Sequence, residues 1–417
     1  MRRRAAPLFA ALFAALVSAL VVGCSGRPID PLAQDRARLL ALDDEPLPND
    51  FAPEATLVVG GELLRQNLER ALLDAASEAG ALLEVPTPAG ALGLTPSASV
   101  ESLALSPGAA CVACADVSLV VVGELEGRLG PLRERLPYRL ETRVPLELVL
   151  VGDAHKDRVL ARVATGGAPR AEVSFGDLPP ILGERFSELL ADRLRALLAR
   201  GLVPDLVVAE LPKDERVRVR GLRARPVALD GGKSALAVEL AFVALERGRV
   251  EAVPDPGDGF LVAIPDETLL GVARAAALRA EPLEGFVVEP KAVSTEGERF
   301  TLELAVWRIA PEPVADRYRV EGALQLADGE LKLVPERATL AGTPRFSLDP
   351  VDLLVRARVL EELKRALTAA LPSSGEQEVA LSRKVVVELV GVEGRDGVLL
   401  LRGRARFVAP GASPRRS

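Results

Sequence analysis

Two stretches of the chain carry the same order of hydrophobic and polar patterns. Each opens with a short apolar run, at 56–59 and at 260–264, which predicts a buried strand. Behind each run, apolar residues recur at every third or fourth position, and this spacing predicts helices over 62–79 and 266–279. Both stretches are therefore predicted to begin with a strand followed by a helix.

Alternation of polar and apolar residues predicts several strands after each of these helices. It is clearest at 138–151, where Leu140 and Val144 share one face and Arg139 points to the other. The segment 80–107 is rich in Gly, Pro and Ser and is predicted as a loop. The remaining strands are predicted at 116–124, 158–165, 171–175, 285–293, 299–309, 316–326 and 330–340.

A longer helix and then a hairpin follow the strands in each stretch. Asp177, which precedes two prolines, and Asp349 before Pro350 are typical helix N-termini, so we predict helices over 177–200 and 349–371. Turn residues between alternating runs predict the hairpins. They are predicted at 216–229 with 234–245, joined by Asp230-Gly231-Gly232, and at 383–392 with 398–408, joined by Arg395-Asp396-Gly397.

The repeated order predicts an α+β fold of two tandem modules. The modules are expected at 56–250 and 255–410, because the same succession of elements fills both ranges. Each would combine antiparallel strands with one long helix and a second, shorter helix. Residues 411–417 are predicted to form a disordered tail.

The N-terminus predicts where the protein works. Arg2, Arg3 and Arg4 precede an apolar run, and the arrangement is typical of a secretory signal. The run ends in Val21-Val22-Gly23-Cys24-Ser25, which resembles a bacterial lipobox. That resemblance implies removal of residues 1–23 and acylation of Cys24, which would attach the protein to the membrane. An uncleaved transmembrane anchor is the alternative interpretation of this run.

The same N-terminal segment predicts the cellular location of the protein. Ser25 after the cysteine resembles the pattern for outer-membrane rather than inner-membrane retention, so the protein is expected in the bacterial envelope, facing the periplasm. Residues 24–55 are rich in Pro, Asp and Arg and are predicted to be a flexible tether with at most one helical turn.

Composition argues against enzymes and nucleic-acid binders. The net charge is −7, only 3% of the residues are aromatic, and no basic stripe is present, so nucleic acid is not expected as a partner. The single histidine, His155, lies in a polar stretch that predicts a turn, and no nucleophile motif accompanies it. We therefore predict neither enzymatic activity nor a cofactor.

Cys111 and Cys114 are the only cysteines besides Cys24. A C-x-x-C pair can be a redox centre, half of a metal site or a structural disulfide. A second pair of metal ligands is missing, and the cysteines precede a predicted strand instead of opening a helix. In an oxidising envelope compartment, a local disulfide is the favoured interpretation, with no metal bound.

The order of strands and helices over about 56–408 resembles the tubular lipid-binding superfamily, which includes bactericidal/permeability-increasing protein. The resemblance implies a highly curved antiparallel sheet wrapped around a long helix in each module, with an apolar groove for lipid or another hydrophobic ligand. A closed core without a groove is the alternative, and the protein would then be a structural or assembly lipoprotein that docks envelope proteins. The predicted groove lining consists of Leu64, Leu68, Leu72, Leu190, Leu194, Leu197, Leu270, Leu354, Val355, Leu363 and Leu367.

Overall fold

The fold is that of a computed structural model. It describes residues 32–44, 51–66, 68–69, 84–87, 90–97, 99–109, 111, 113–129, 132–152, 156–164, 170–175, 184, 187–188, 191–192, 206–212, 219–229, 233–242, 248–250, 254–279, 286–308, 314–327, 330–341, 375–379 and 383–407.

Antiparallel strands dominate this part of the chain, and helices are few. Two helices have defined bounds, α1 (Ala33–Asp44) and α2 (Asp266–Arg279), and residues 61–66 and 68–69 are also helical. The strands, in chain order, are β1 (Ala55–Gly60), β2 (Glu84–Thr87), β3 (Gly90–Pro96), β4 (Ser99–Pro107), β5 (Cys114–Leu129), β6 (Leu132–Gly152), β7 (Lys156–Val163), β8 (Arg170–Phe175), β9 (Leu206–Pro212), β10 (Val219–Ala228), β11 (Ser234–Phe242), β12 (Phe260–Pro265), β13 (Phe286–Glu296), β14 (Arg299–Arg308), β15 (Val314–Ala327), β16 (Glu330–Ala341), β17 (Gly375–Val379), β18 (Arg383–Arg395) and β19 (Val398–Phe407).

A central seven-stranded sheet joins the two halves of the chain. Its strand order is β10-β11-β1-β12-β19-β18-β17, and every pair is antiparallel. In the middle, β1 pairs with β12, with Val58 opposite Leu261. Outward from this pair, the first half adds β11 and then β10, and the second half adds β19 and then β18. In each half, the second strand of the closing hairpin thus lies nearer the centre of the sheet than the first. The halves therefore build this sheet by the same scheme, in partial agreement with the predicted tandem modules.

The first half also forms an eight-stranded sheet around two long strands. β5 has 16 residues and β6 has 21, and they pair with Val121 opposite Leu140. The other edge of β5 is shared by β3 and β4, and the other edge of β6 by β7 and β8. Each long strand thus spans two shorter neighbours placed end to end.

The second half forms a simpler four-stranded sheet in the order β13-β14-β15-β16. Both outer sheets contact the central sheet through the first strand of a closing hairpin. β10 packs against β4, β5 and β6, whereas β18 packs against β13, β15 and β16. The two halves are thus equivalent in this contact as well.

Apolar residues from all three sheets meet in one hydrophobic cluster, which we call the main cluster. It contains Val117 of β5, Leu240 of β11 and Leu302 of β14. A smaller cluster, including Val58 and Leu261, lies on the opposite face of the central sheet. The middle strands are therefore buried on both faces, which explains why β1 and β12 are short and almost entirely apolar.

Several predicted elements occur where they were expected. The helix predicted over 266–279 is α2, and the second closing hairpin turns at Asp396 and Gly397, with φ angles of 52° and 75°. Positive φ at both turn residues suits a two-residue hairpin turn. Of the predicted helix over 177–200, residues 184, 187–188 and 191–192 are described, and they are helical. The predicted helix over 349–371 lies outside the described residues.

Other predictions were wrong. The segment 80–107 holds β2, β3 and β4 instead of a loop, because their backbones pair with one another and with the long strand β5. The strands β9 and β17 were not predicted at all. The α+β expectation overestimated the share of helix in the described residues. Part of the predicted tether is the 12-residue helix α1, well beyond a single turn.

Candidate functional site

Two of the predicted lining residues, Leu64 and Leu68, lie on the helical residues that follow β1. Leu68 is buried in the main cluster, and Leu64 packs against it while partly exposed. Arg65 fastens this segment to the eight-stranded sheet, because its guanidinium donates to the Val100 carbonyl oxygen at 3.0 Å. The spacing of four residues therefore directs both leucines into the interior.

Helix α2 carries one predicted lining residue, Leu270, which is half-buried. Its neighbours Leu269, Val272 and Ala273 are fully buried and supply the contact between α2 and the main cluster. The inward stripe of α2 is thus centred one position away from the residue that the periodicity selected.

Apart from Cys111 and Cys114, the other candidate residues singled out from the sequence lie outside the described residues. This applies to the acylation site Cys24 and to the turn residue His155. It also applies to the lining residues Leu72, Leu190, Leu194, Leu197, Leu354, Val355, Leu363 and Leu367.

The inner face of the eight-stranded sheet is a continuous apolar surface that the helix-based prediction missed. On β5, alternate residues are buried and belong to the main cluster, and the same is true of β6. The alternation at 138–151 was the signal, but the prediction assigned the lining to helices alone. The buried residues are Ala115, Val117, Leu119, Val121 and Leu125 on β5, and Leu140, Val144, Leu146 and Leu148 on β6.

The four-stranded sheet presents an equivalent inner face. On β14, Phe300, Leu302, Leu304 and Val306 are buried and belong to the main cluster. On β15, Tyr318, Val320 and Leu324 continue this surface. Both outer sheets therefore turn an apolar face toward the same interior.

Few polar side chains interrupt these inner faces. Thr142 on β6 is buried, and its hydroxyl donates to the Arg170 carbonyl oxygen at 2.8 Å. Asp316 on β15 is also buried, 4% exposed. Such an interior offers hydrocarbon contact and little else, so its chemistry suits an apolar ligand or a packed core.

A buried carboxylate holds the edge of the central sheet together. Glu239 on β11 accepts hydrogen bonds from Arg223 at 2.5 Å and Arg225 at 2.6 Å, and its side chain is only 2% exposed. The guanidinium of Arg223 lies 5.1 Å from the centre of the Phe51 ring. This ion cluster is best explained as a structural clamp, because both cations lie on the strand adjacent to the carboxylate.

A second buried carboxylate, Glu289 on β13, joins α2 to the four-stranded sheet. It accepts hydrogen bonds from Arg274 at 2.9 Å, Lys291 at 2.5 Å and the indole of Trp307 at 2.8 Å. Arg274 also donates to Asp35 of α1 at 2.7 Å. The N-terminal helix is thereby connected to the second half of the chain.

Two carboxylates have shifted pKa values of opposite sign. Two hydrogen bonds from Arg65, at 2.7 and 2.8 Å, are the main reason why the pKa of Glu62 is about 2 instead of its usual 4.5. Burial raises the pKa of Asp266 at the start of α2, and hydrogen bonds from Thr295 oppose this shift only in part. Ionised Glu62 therefore favours folding, whereas ionised Asp266 carries a desolvation cost.

Glu62→Gln is expected to lower the free energy of unfolding by less than about 1 kcal/mol at pH 7, because the Glu62 and Arg65 side chains are each about a third exposed. A lowered folded-state pKa stabilises above pH 4.5, and this contribution fades as the pH falls toward 2. Urea unfolding at pH 7 and at pH 2 measures the difference. An equal loss at both values would contradict the assignment.

Cys111 and Cys114 are joined by a disulfide, with their Cα atoms 5.0 Å apart. The bridge closes a tight turn in front of β5, where the Cys114 amide donates to the Cys111 carbonyl oxygen at 3.2 Å. The Leu148 amide donates to the Ala113 carbonyl oxygen at 2.8 Å, so the turn is attached to β6. These contacts are those of a structural loop.

Within the described ranges, no cluster of three or more His, Cys, Asp or Glu side chains is arranged to hold a metal ion. The helices of that same part of the chain are all too short or too polar to span a bilayer.

No family model and no curated protein matches this chain. Solved structures similar to it include lipopolysaccharide binding protein, at 14% identity and a TM-score of 0.33, with 86% of this chain and 100% of that chain covered. P47 of Clostridium botulinum E1 is similar at 8% identity and a TM-score of 0.37, with 85% and 99% covered. Scores below 0.5 do not establish a shared fold.

Proposed function

We propose that this protein is a non-enzymatic lipoprotein of the bacterial envelope that binds or transfers lipid. The main support is the pair of apolar inner faces, one on each outer sheet, that border a common interior with few polar groups. The N-terminal signal and the lipobox-like sequence before Ser25 support membrane attachment through Cys24. Binding of a lipid ligand requires no reacting side chain.

In this proposal, each outer sheet curves around the long helix that the sequence predicts for its half, over 177–200 and over 349–371. The acyl chains of the ligand lie between the helix and the inner face of the sheet. Leu64 and Leu68 border this space in the first half, together with the inner residues of β5 and β6. The second half uses the inner residues of β14 and β15.

The energetics suit a carrier that works at a membrane. A sixteen-carbon chain that moves from water into an apolar interior gains about 12 kcal/mol, at about 0.8 kcal/mol per methylene. The same chain gains little when it comes from a bilayer, because one apolar environment replaces another. A tethered protein can therefore load and release lipid without tight binding.

The test is mass spectrometry of lipid extracted from the purified, acyl-free chain that begins at residue 26. We expect phospholipid at a stoichiometric ratio in the wild type and a lower ratio in Ala171→Leu, which fills space on the inner face of β8, where Ala171 is 2% exposed. Ser174→Leu changes an exposed residue of the same strand and serves as the matched control. Thermal unfolding shows whether each variant is folded.

A folded wild-type protein without extractable lipid would exclude the carrier. The alternative, an assembly lipoprotein with closed cores, would then be tested by crosslinking to a stoichiometric envelope partner.

A further inference from the structure

Helix α1 packs against the second half of the chain through one side. Leu32, just before the helix, and Leu39 are buried against Ala275, Leu278 and Val287. This contact joins a helix near the N-terminus to α2 and β13, more than 200 residues later in the sequence. The position of α1 is therefore set by the second half.

Polar contacts fix the same interface. Asp35 accepts a hydrogen bond from Arg274 of α2, and Arg36 donates to the Leu278 carbonyl oxygen at the end of α2. Arg274 also reaches Glu289, which binds the Trp307 indole. A continuous set of hydrogen bonds thus runs from α1 into the four-stranded sheet.

The opposite side of α1 is exposed and combines Leu40 and three alanines with Gln34 and Arg38. Leu40 is 64% exposed, more than any other large hydrophobic residue in the described ranges. Ala33, Ala37 and Ala41 are exposed on the same stripe, because residues four apart on a helix share a face. Arg38 is exposed nearby. This side of α1 therefore presents one large apolar side chain and one cation to its surroundings.

The distance to the proposed anchor indicates what these surroundings are. Leu32 follows Cys24 by only 32 − 24 = 8 positions, and a fully extended chain over these 8 steps spans at most about 28 Å. An acylated Cys24 therefore keeps α1 close to the bilayer surface.

We propose that the outward face of α1 contacts the bilayer surface and that its packing on α2 holds the four-stranded sheet next to the membrane. Leu40 and the exposed alanines enter the interfacial region, and Arg38 pairs with anionic headgroups. The eight-stranded sheet lies farther from the membrane. This inference rests on the proposed acylation of Cys24.

The chain contains one tryptophan, Trp307, which reports directly on this arrangement. The full acylated protein is bound to vesicles of phosphatidylethanolamine and phosphatidylglycerol that carry a dansyl-labelled lipid, and energy transfer from Trp307 is measured. The comparison protein carries Trp307→Phe with Phe175→Trp, which moves the reporter to β8 in the eight-stranded sheet. We expect transfer from Trp307 to exceed transfer from position 175 by about twofold or more.

Leu40→Asp should reduce transfer from Trp307 toward the value of the comparison protein. Its emission without vesicles should stay unchanged, which shows that α1 remains packed on α2. Val390→Asp replaces another exposed apolar residue, 46% exposed on β18, and should leave the transfer unaltered.

The other possible outcomes distinguish failure of the proposed anchor from failure of this inference. If mass spectrometry finds no acyl chains and the protein does not float with vesicles, both the anchor and this inference are overturned. A protein that floats but transfers energy equally from both positions overturns this inference alone. So does a Leu40→Asp variant with unchanged transfer, or a photocrosslinker at position 40 that captures protein and no lipid in cells. Lipid extraction from the interior is measured separately and decides only the carrier function.

Discussion

Glu239→Ala is expected to lower the free energy of unfolding by about 3 kcal/mol. The side chain of Glu239 is 2% exposed and pairs with two guanidinium groups at 2.5 and 2.6 Å. Removing one partner of a buried ion pair costs about 3–5 kcal/mol, because the remaining charge is left without compensation. Arg225 is 46% exposed and can regain water, so the lower end of that range applies. Urea unfolding followed by circular dichroism measures the loss.

Glu303→Ala is the matched control for this prediction. Glu303 on β14 pairs with Arg319 across the strands at 2.6 Å, with the same chemistry, but the two side chains are 46% and 52% exposed. Exposed pairs contribute less than about 1 kcal/mol. Similar losses in the two variants would show that burial is not what makes the Glu239 cluster important.

Gly259→Ala is expected to cost about 3 kcal/mol, because a close backbone contact leaves no room for a methyl group. A Cβ atom at Gly259 would lie 2.1 Å from the Gly403 carbonyl oxygen, and backbone at that position cannot move without disturbing β19. The Gly60 amide donates to the Gly259 carbonyl oxygen at 2.9 Å, so the same residue also supports β1. The measurement is the urea midpoint of the full chain.

Gly391→Ala provides the comparison within the same sheet. A Cβ atom there would meet only the side chain of Arg402, at 3.7 Å or more, which is ordinary contact. The substitution should change the free energy of unfolding by no more than about 0.5 kcal/mol. A mild effect at Gly259 with a severe one at Gly391 would contradict the steric argument.

Local signals predicted those elements whose structure depends on nearby residues. Helix α2 was predicted at its observed bounds, since acidic residues open it, Arg279 closes it and its apolar residues recur at helical spacing. The turn at Asp396 and Gly397 was predicted from residue types that favour positive φ. In both cases the determining contacts lie within a few residues in the sequence.

Long-range pairing explains what the sequence did not predict. The strands between 84 and 107 contain Gly and Pro residues that locally favour turns, and β5 holds them in strand conformation. The central sheet depends on pairs such as Val58 with Leu261, which no local pattern encodes. Helix α1 shows the same effect, because Leu32 and Leu39 become buried only against α2.

The same contrast between local signals and long-range pairing applies to the candidate site. Helical periodicity selected Leu68, which is buried in the main cluster, and Leu64, which packs against it, but it missed the inner faces of β5, β6, β14 and β15. Alternation marks which residues of a strand share a face, and the fold then decides which face turns inward. That choice depends on how the outer sheets pack against β10 and β18.

The direct pairing of β1 with β12 makes the two halves dependent on each other. Cutting the connection at 243–259 would separate the two halves. Each half would then have a six-residue strand, apolar on both sides, at its edge. The backbone donors and acceptors that join β1 to β12 would face solvent along that edge. Such fragments would associate with themselves or with one another, so the two halves are expected to fold as a single unit.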